Sequence, residues 1–268
     1  MKLTHVSLCS GIGGIDLAAE WAGFTTVAQC EIDEYASKVL AKNFKGVPNL
    51  HDIRTVTNAR LMEYGIDPAS ITVLSAGFPC QPYSLAGKGK GDGDERDLWG
   101  EVARCIGEIK PRWFVGENTP GLFARANQRY FKRILSDLAA LGYSVSWGIW
   151  GACDVGAPHR RDRVFIVAYA DSKRRICVHE DSKTRCATVC LPSAPPGNAW
   201  ENLRAYKEIG RVFGILRYTP EPYRRIERDD YGLSVGVERL RCLGNAVVPQ
   251  QAYPIFKAIS EAEGEEIC

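Results

Sequence analysis

No run of apolar residues in this chain approaches the roughly 20 that span a bilayer, so no transmembrane helix is expected. No secretory leader is expected either, because Lys2 runs straight into the short segment Thr4–Cys9 with no cleavage site. Ten cysteines without a leader argue against a disulfide framework and for reduced thiols in a cytosol-like compartment. Charge of one sign is missing as well. A formal net charge of +2 excludes the strongly basic class whose partner is announced by bulk charge alone. The distribution adds a little: residues 171–240 hold 13 Lys/Arg against 10 Asp/Glu, and the rest of the chain 21 against 22. Internal repeats are absent.

What is present fits an ordinary globular protein. The 268 residues are 45% apolar and 25% charged, enough for one large domain or a main domain with a small insertion. Short apolar runs at Thr4–Cys9, Thr25–Cys30, Ile71–Ser75, Trp113–Glu117, Tyr143–Ile149 and Val164–Tyr169 predict strands. Helical patterns fall between them at Ile15–Trp21, Glu34–Asn43, Leu98–Ile109 and Gln128–Leu141. This alternation predicts an α/β fold with a parallel sheet and crossover helices. The last two strands are joined by a polar loop without a helix, so an antiparallel pair is expected there. From Asp171 to about Arg239 the pattern breaks into a loop-rich stretch with Leu191–Gly197 as a linker, and Gln250–Ala262 predicts a final helix. The expected division is 1–170 for a catalytic and cofactor-binding domain, 171–239 for a small insertion, and 240–268 for a segment packing back on the first.

Gly77-Phe78-Pro79-Cys80-Gln81 is the most informative stretch. Gly77 is expected to break the strand before it, and Pro79 stiffens the turn that aims the Cys80 thiol. A cysteine at the carboxyl edge of a parallel strand stands where open α/β sheets hold their ligands. A buried core cysteine is the alternative reading of Cys80 taken alone. Glu117-Asn118 ends another strand and would lie at the same edge. A thiol beside a carboxylic acid suits nucleophilic addition coupled to protonation.

Ser10-Gly11-Ile12-Gly13-Gly14 follows the first strand and opens a helix, and Glu31 ends the second strand, where a carboxylate can accept hydrogen bonds from ribose. This is nucleotide-cofactor architecture, and on these residues alone NAD stays open, as does a purely structural glycine turn. Leu85–Gly93, glycine-rich with Lys88 and Lys90, reads either as a lid with affinity for phosphate or as a disordered surface loop. Arg161 and Arg163 precede the last strand and either clamp a base or phosphate or form salt bridges. Cys177, His179, Cys186 and Cys190 do not match paired zinc spacing, so no metal is expected.

Taken in order, these motifs resemble the DNA (cytosine-5) methyltransferase family. The resemblance implies a Rossmann-like S-adenosylmethionine-dependent methyltransferase sheet with helices on both faces and a small loop-rich target-recognition insertion. It implies S-adenosylmethionine held by Cys9, Ser10, Gly11, Gly13, Gly14, Glu31, Ile32, Asp52, Ile53, Pro79, Leu98 and Asn245. Cys80 becomes the nucleophile, Glu117 the acid, and Arg161 a contact to the base; Gln81, Ser84, Lys88, Lys90, Arg161 and Arg163 become DNA-facing residues. Gly244-Asn245-Ala246-Val247 resembles the last motif of the family, which packs beside the cofactor pocket. Cys9 stands where the family commonly has Phe, His159 where it has Gln, and Thr119 where Val is common.

The implied reaction adds the thiolate to carbon 6 of a flipped-out cytosine and so makes carbon 5 nucleophilic toward the methyl donor. The expected partner is double-stranded DNA, with a cognate restriction endonuclease as a candidate. The expected state is a monomer, cytoplasmic and nucleoid-associated on DNA, with no membrane. Structured RNA as substrate, a catalytically silent DNA-binding homologue and an NAD-dependent oxidoreductase are the competing readings.

Overall fold

Five consecutive buried residues, Thr4–Leu8, form β1. In the computed structural model, residues 2–79, 97–124, 127–170, 242 and 245–265 are described. A glycine in the left-handed region, Gly13 (φ 86°), turns the chain into α1, Gly14–Trp21, and β2 follows at Thr25–Cys30. The Asp33 side chain accepts the Ala36 N–H and so caps α2, Glu34–Asn43; Thr57 caps α3, Asn58–Glu63, in the same way. Then come β3 (Val73–Gly77), α4 (Trp99–Ile109), β4 (Trp113–Asn118), α5 (Gln128–Ala140), β5 (Tyr143–Trp150), β6 (Arg163–Ala170) and α6 (Pro249–Glu265).

The six strands lie in the order β2-β1-β3-β4-β6-β5. β1 pairs in parallel with β2 and β3, and β3 in parallel with β4, whereas β6 runs antiparallel to both β4 and β5. The expected antiparallel end is therefore one reversed strand, β6, inserted between β4 and β5. That reversal carries the start of β6 to the edge where β4 ends.

Both faces of the sheet are covered. Leu8, Leu74, Ala76, Phe114 and Ile166 pack against Trp99, Val102 and Ile106 of α4 and Ile134 and Leu138 of α5. On the opposite face Val73, Val115, Phe165 and Val167 meet Ala18 and Ala19 of α1 and Ile255, Phe256 and Ile259 of α6. β3 differs from expectation, running Val73–Gly77 rather than ending before Gly77. Ile71 closes the 3-10 turn Pro68–Ser70, and Thr72 exchanges hydrogen bonds with Thr4, so ladder pairing starts later. It continues to Gly77, which pairs with Glu117.

A polar seam lies under α1. Asp16, fully buried, accepts hydrogen bonds from Ser7 Oγ (3.2 Å) and Gln29 Nε2 (2.9 Å). Burial raises its carboxyl from 3.8 to about 6, against the opposing pull of the Gln29 and Ser7 hydrogen bonds. Between those two pH values the folded chain keeps a proton that the unfolded chain releases, so stability falls as pH rises through the window. His5, also buried and pushed down to about 3 by desolvation, acts in the other direction below its unfolded value of 6.5. Asp16→Asn is therefore expected to gain on the wild type by about 3 kcal/mol between pH 4 and pH 7, because each tenfold change in proton affinity is worth about 1.4 kcal/mol. Urea unfolding of both proteins across that range checks it; a pH-independent difference would remove Asp16 as the cause.

Candidate active site

The carboxyl ends of β1, β2, β3 and β4 gather the residues singled out above. Leu8 is level with Cys30 and Ala76, and Gly77 with Glu117, so Cys9, Glu31, Phe78-Pro79 and Glu117-Asn118 share one sheet edge. Asn118 is level with Val164, so the reversed strand brings Arg163 to that edge as well.

Glu117 is buried, and burial pushes its carboxyl up to about 7. Arg163 and Arg161 pull in the opposite direction: Arg163 Nε lies 2.9 Å from Glu117 Oε1, and without these cations the carboxyl would be raised further. The result is a carboxyl that can hold a proton near neutrality. Asn118 Nδ2 donates to the Phe78 carbonyl at 3.0 Å, tying the end of β4 to the turn before Cys80. Phe78 itself is locked against Trp99, with ring centroids 5.2 Å apart. Pro79 is half-buried; Cys80, Gln81, Ser84, Lys88, Lys90 and the Cys177–Cys190 cluster lie outside the described residues.

Arg163 is only 12% exposed and also donates to the Asp162 carbonyl at 2.8 Å. Of the alternatives open for this arginine, the salt bridge is what the fold contains. A guanidinium so placed fixes the orientation of the Glu117 carboxyl. Arg161, with φ 37°, donates through Nη2 to the Ala246 carbonyl.

The glycine loop divides into parts with different reasons. A Cβ on Gly13 would lie 2.3 Å from Phe44 Cε2, and one on Gly14 would lie 2.3 Å from the Val247 carbonyl oxygen. These two glycines are required by the protein's own packing. Gly11 (φ 57°) has nothing within 4 Å of its Cβ position, so it is here that the backbone is open to a ligand. Gly14→Ala is expected to push the 246–248 segment off α1 and destabilise the fold by about 1–3 kcal/mol, the usual cost of overpacking. Thermal unfolding measures it, and an unchanged midpoint would mean that this contact relaxes freely.

Glu31 accepts the Gly11 N–H at 2.7 Å and the Asp33 N–H at 2.8 Å, which orients its carboxylate across the loop. Ser10 Oγ donates to the Ser7 carbonyl and accepts the Cys30 N–H at 3.1 Å. Ile32, beside Glu31, is 65% exposed, an apolar face left open next to a hydrogen-bonding acid. Asp52 caps the turn Ile53–Thr55 and pairs with Arg54, whose hydrogen bonds hold its carboxyl below the usual carboxylate range. Ile53 is buried in the core; Leu98 is half-buried at the start of α4; Asn245 is exposed.

Sequence reasoning did not single out Asn49. Its Oδ1 accepts the Glu31 N–H and its Nδ2 donates to the Glu31 carbonyl, fixing Glu31 from the far side. The signal would have been the single parallel bridge between Gln29 and Asn49, which local patterning cannot reveal. Burial raises the thiols of Cys9 and Cys105 to about 12 and moves Cys30 upward too. All three are thus held as unreactive thiols.

A parallel sheet with one reversed strand, helices on both faces and a glycine loop at the carboxyl edge defines a Rossmann-like α/β protein. The chain belongs to the C-5 cytosine-specific DNA methylase family, whose model matches residues 3–208. It is similar to the Type II methyltransferase M.NgoBI of Neisseria gonorrhoeae, 39% identical over 62% of this chain and 50% of that protein. It is also similar to the Type II methyltransferase M.BanI of Aneurinibacillus aneurinilyticus, 37% identical over 66% of this chain and 40% of that protein. The chain thus spans about half or less of the length of these relatives. Among solved structures, a prophage-encoded protein of E. coli described as a DNA modification methyltransferase superposes with TM-score 0.55 and 26% identity, covering 63% of this chain and 47% of that one. A DNMT2 mutant of Spodoptera frugiperda shares the fold, with TM-score 0.52, 22% identity, 65% of this chain and 53% of that one. Among the described residues no helix is long and apolar enough to cross a membrane.

Proposed function

We propose that this chain is a DNA (cytosine-5) methyltransferase that acts through a covalent adduct between Cys80 and a flipped-out cytosine. The observation that carries the reading is Glu117: a buried carboxyl raised to about 7, level with Gly77 and tied through Asn118 to the turn that leads into Cys80. An acid poised near neutrality suits protonation of a ring nitrogen while a thiolate adds to the same ring.

S-adenosylmethionine fits the residues at the glycine loop and supplies the methyl group. The open Gly11 backbone, the oriented Glu31 carboxylate and the exposed Ile32 face offer a close approach, a ribose acceptor and an apolar surface for a base. Ser10, Gly13 and Gly14 shape the loop, and Cys9, Asp52, Ile53, Pro79, Leu98 and Asn245 complete the cofactor side.

The chain's own residues then divide the work. Cys80 adds to carbon 6, and protonated Glu117 donates to ring nitrogen 3 and stabilises the adduct. Arg163 holds Glu117 in place, and Arg161 contacts the extruded base. After methyl transfer, carbon 5 loses its proton and Cys80 leaves as the double bond re-forms. Extrusion costs a few kcal/mol, recovered through contacts to the flipped base. Residues 171–239 read the target on double-stranded DNA, with Gln81, Ser84, Lys88 and Lys90 on the DNA side. The enzyme works as a cytoplasmic monomer, nucleoid-associated on DNA, and a restriction endonuclease is its natural counterpart.

Expression in a methylation-free bacterium, followed by mapping of 5-methylcytosine across the genome, tests activity and target together. A genome without the mark, with the folded protein present, overturns the reading. Methyl transfer to transfer RNA alone moves the chemistry to the RNA substrate.

A further inference from the structure

α6 carries a buried amide beside the apolar cluster it shares with α1. Gln251 is fully buried, and its helix neighbours Ala252 and Ile255 belong to that cluster. Its Nε2 donates to the Trp150 carbonyl and to the Arg161 carbonyl, each at 3.0 Å. Its own backbone carbonyl accepts the Trp150 indole N–H at 2.9 Å. Trp150 is the last residue of β5, and Arg161 lies just before β6. One side chain of α6 therefore bridges the exit of one strand and the entry of the next.

The backbone that Gln251 holds is an unusual one. Arg161 sits at φ 37°, in the left-handed region that a residue with a side chain keeps only when its surroundings impose it. The loop is closed by the Ala152 N–H on the Arg160 carbonyl at 2.6 Å, and Gly151 is crowded by the same carbonyl, 2.6 Å from its Cβ position. At its other end Arg161 donates from Nη2 to the Ala246 carbonyl. Both ends of Arg161 are thus fastened to the C-terminal segment, five residues apart. Apolar packing alone does not call for an amide here, since Leu or Met would fill a similar volume and leave the two carbonyls without this donor.

We infer that Gln251 is a positioning residue: by bonding the Arg161 carbonyl it fixes the left-handed backbone that aims the Arg161 guanidinium at the reacting base. The inference rests on the reading of Arg161 as a base contact. It makes α6, which contains none of the reacting groups, a determinant of the methyl-transfer step.

A double-mutant cycle separates positioning from general support of the fold. Single-turnover methylation of duplex DNA is measured for the full chain, for Gln251→Leu, for Arg161→Ala and for the pair. Gln251→Leu is expected to slow transfer about tenfold in the wild-type background, the scale on which small misplacements of a contact group act. In the Arg161→Ala background the same change is expected to cost less than about twofold, because nothing is left to position. Gln251→Asn, too short to reach both carbonyls, should fall between, and it carries the comparison if Gln251→Leu does not fold. Equal losses in both backgrounds, or no loss in either, overturn the inference. An Arg161→Ala single variant as fast as the wild type instead overturns the underlying role of Arg161.

Discussion

Cys80→Ala is expected to abolish methyl transfer, with a loss on the order of 10⁴-fold or more, while some binding of DNA is retained. Carbon 5 of cytosine is too weak a nucleophile to take a methyl group unaided, and only addition at carbon 6 makes it an enamine. The buried cysteines beside the sheet do not substitute. Cys9 and Cys105 are held as thiols by burial, and Cys30 is moved the same way. The direct measurement uses DNA with 5-fluorocytosine at the target, where the carbon-5 substituent cannot leave and the adduct persists. The wild type should become irreversibly joined to that DNA, and the Cys80→Ala variant should not. Normal activity in the variant, or no conjugate for the wild type with cofactor and target confirmed, removes Cys80 from the role.

Glu117→Gln is the second large effect. A positioned acid contributes about 10²–10⁴-fold, and the amide keeps the shape of Glu117 while losing its transferable proton. The sign of the pH dependence follows from the raised carboxyl. The protonated form is the working one, so this factor is present below about 7 and lost as pH rises through that value. Formation of the Cys80 thiolate pushes in the opposite direction, which gives the wild type a bell-shaped profile. Glu117→Gln should lose the descending alkaline limb and keep the ascending one. A variant that retains the alkaline limb would assign that titration to another group. Glu117→Gln also removes the ion pair with Arg163, so thermal unfolding of the variant accompanies the rate measurement.

How much of the fold and site was legible from residues alone varied with the range of the interaction. The six strands were visible because each is a short apolar run between turn signals; β2 kept its expected bounds and the others shifted by a residue or two. β3 moved furthest, because Thr4 and Thr72, 68 residues apart, set where its pairing begins. The glycine loop was legible as a loop. That Gly13 and Gly14 answer to Phe44 and Val247, and Gly11 alone to open space, was not, since those neighbours come from distant parts of the chain.

By itself the sequence determined the alternation of strand and helix, the glycine loop after β1, and the Pro-Cys and Glu-Asn elements that mark two strand ends. Each is a local pattern, set by side-chain polarity and backbone stiffness over a few residues. Only the tertiary structure decided that β6 runs backwards between β4 and β5, that Arg163 is therefore a half-buried partner of Glu117, and that Gln251 reaches Arg161 from α6. The proton affinity of Glu117 belongs to the same group. It comes from the loss of water around a carboxylate and from two arginines folded beside it, and neither is written in the residues next to it.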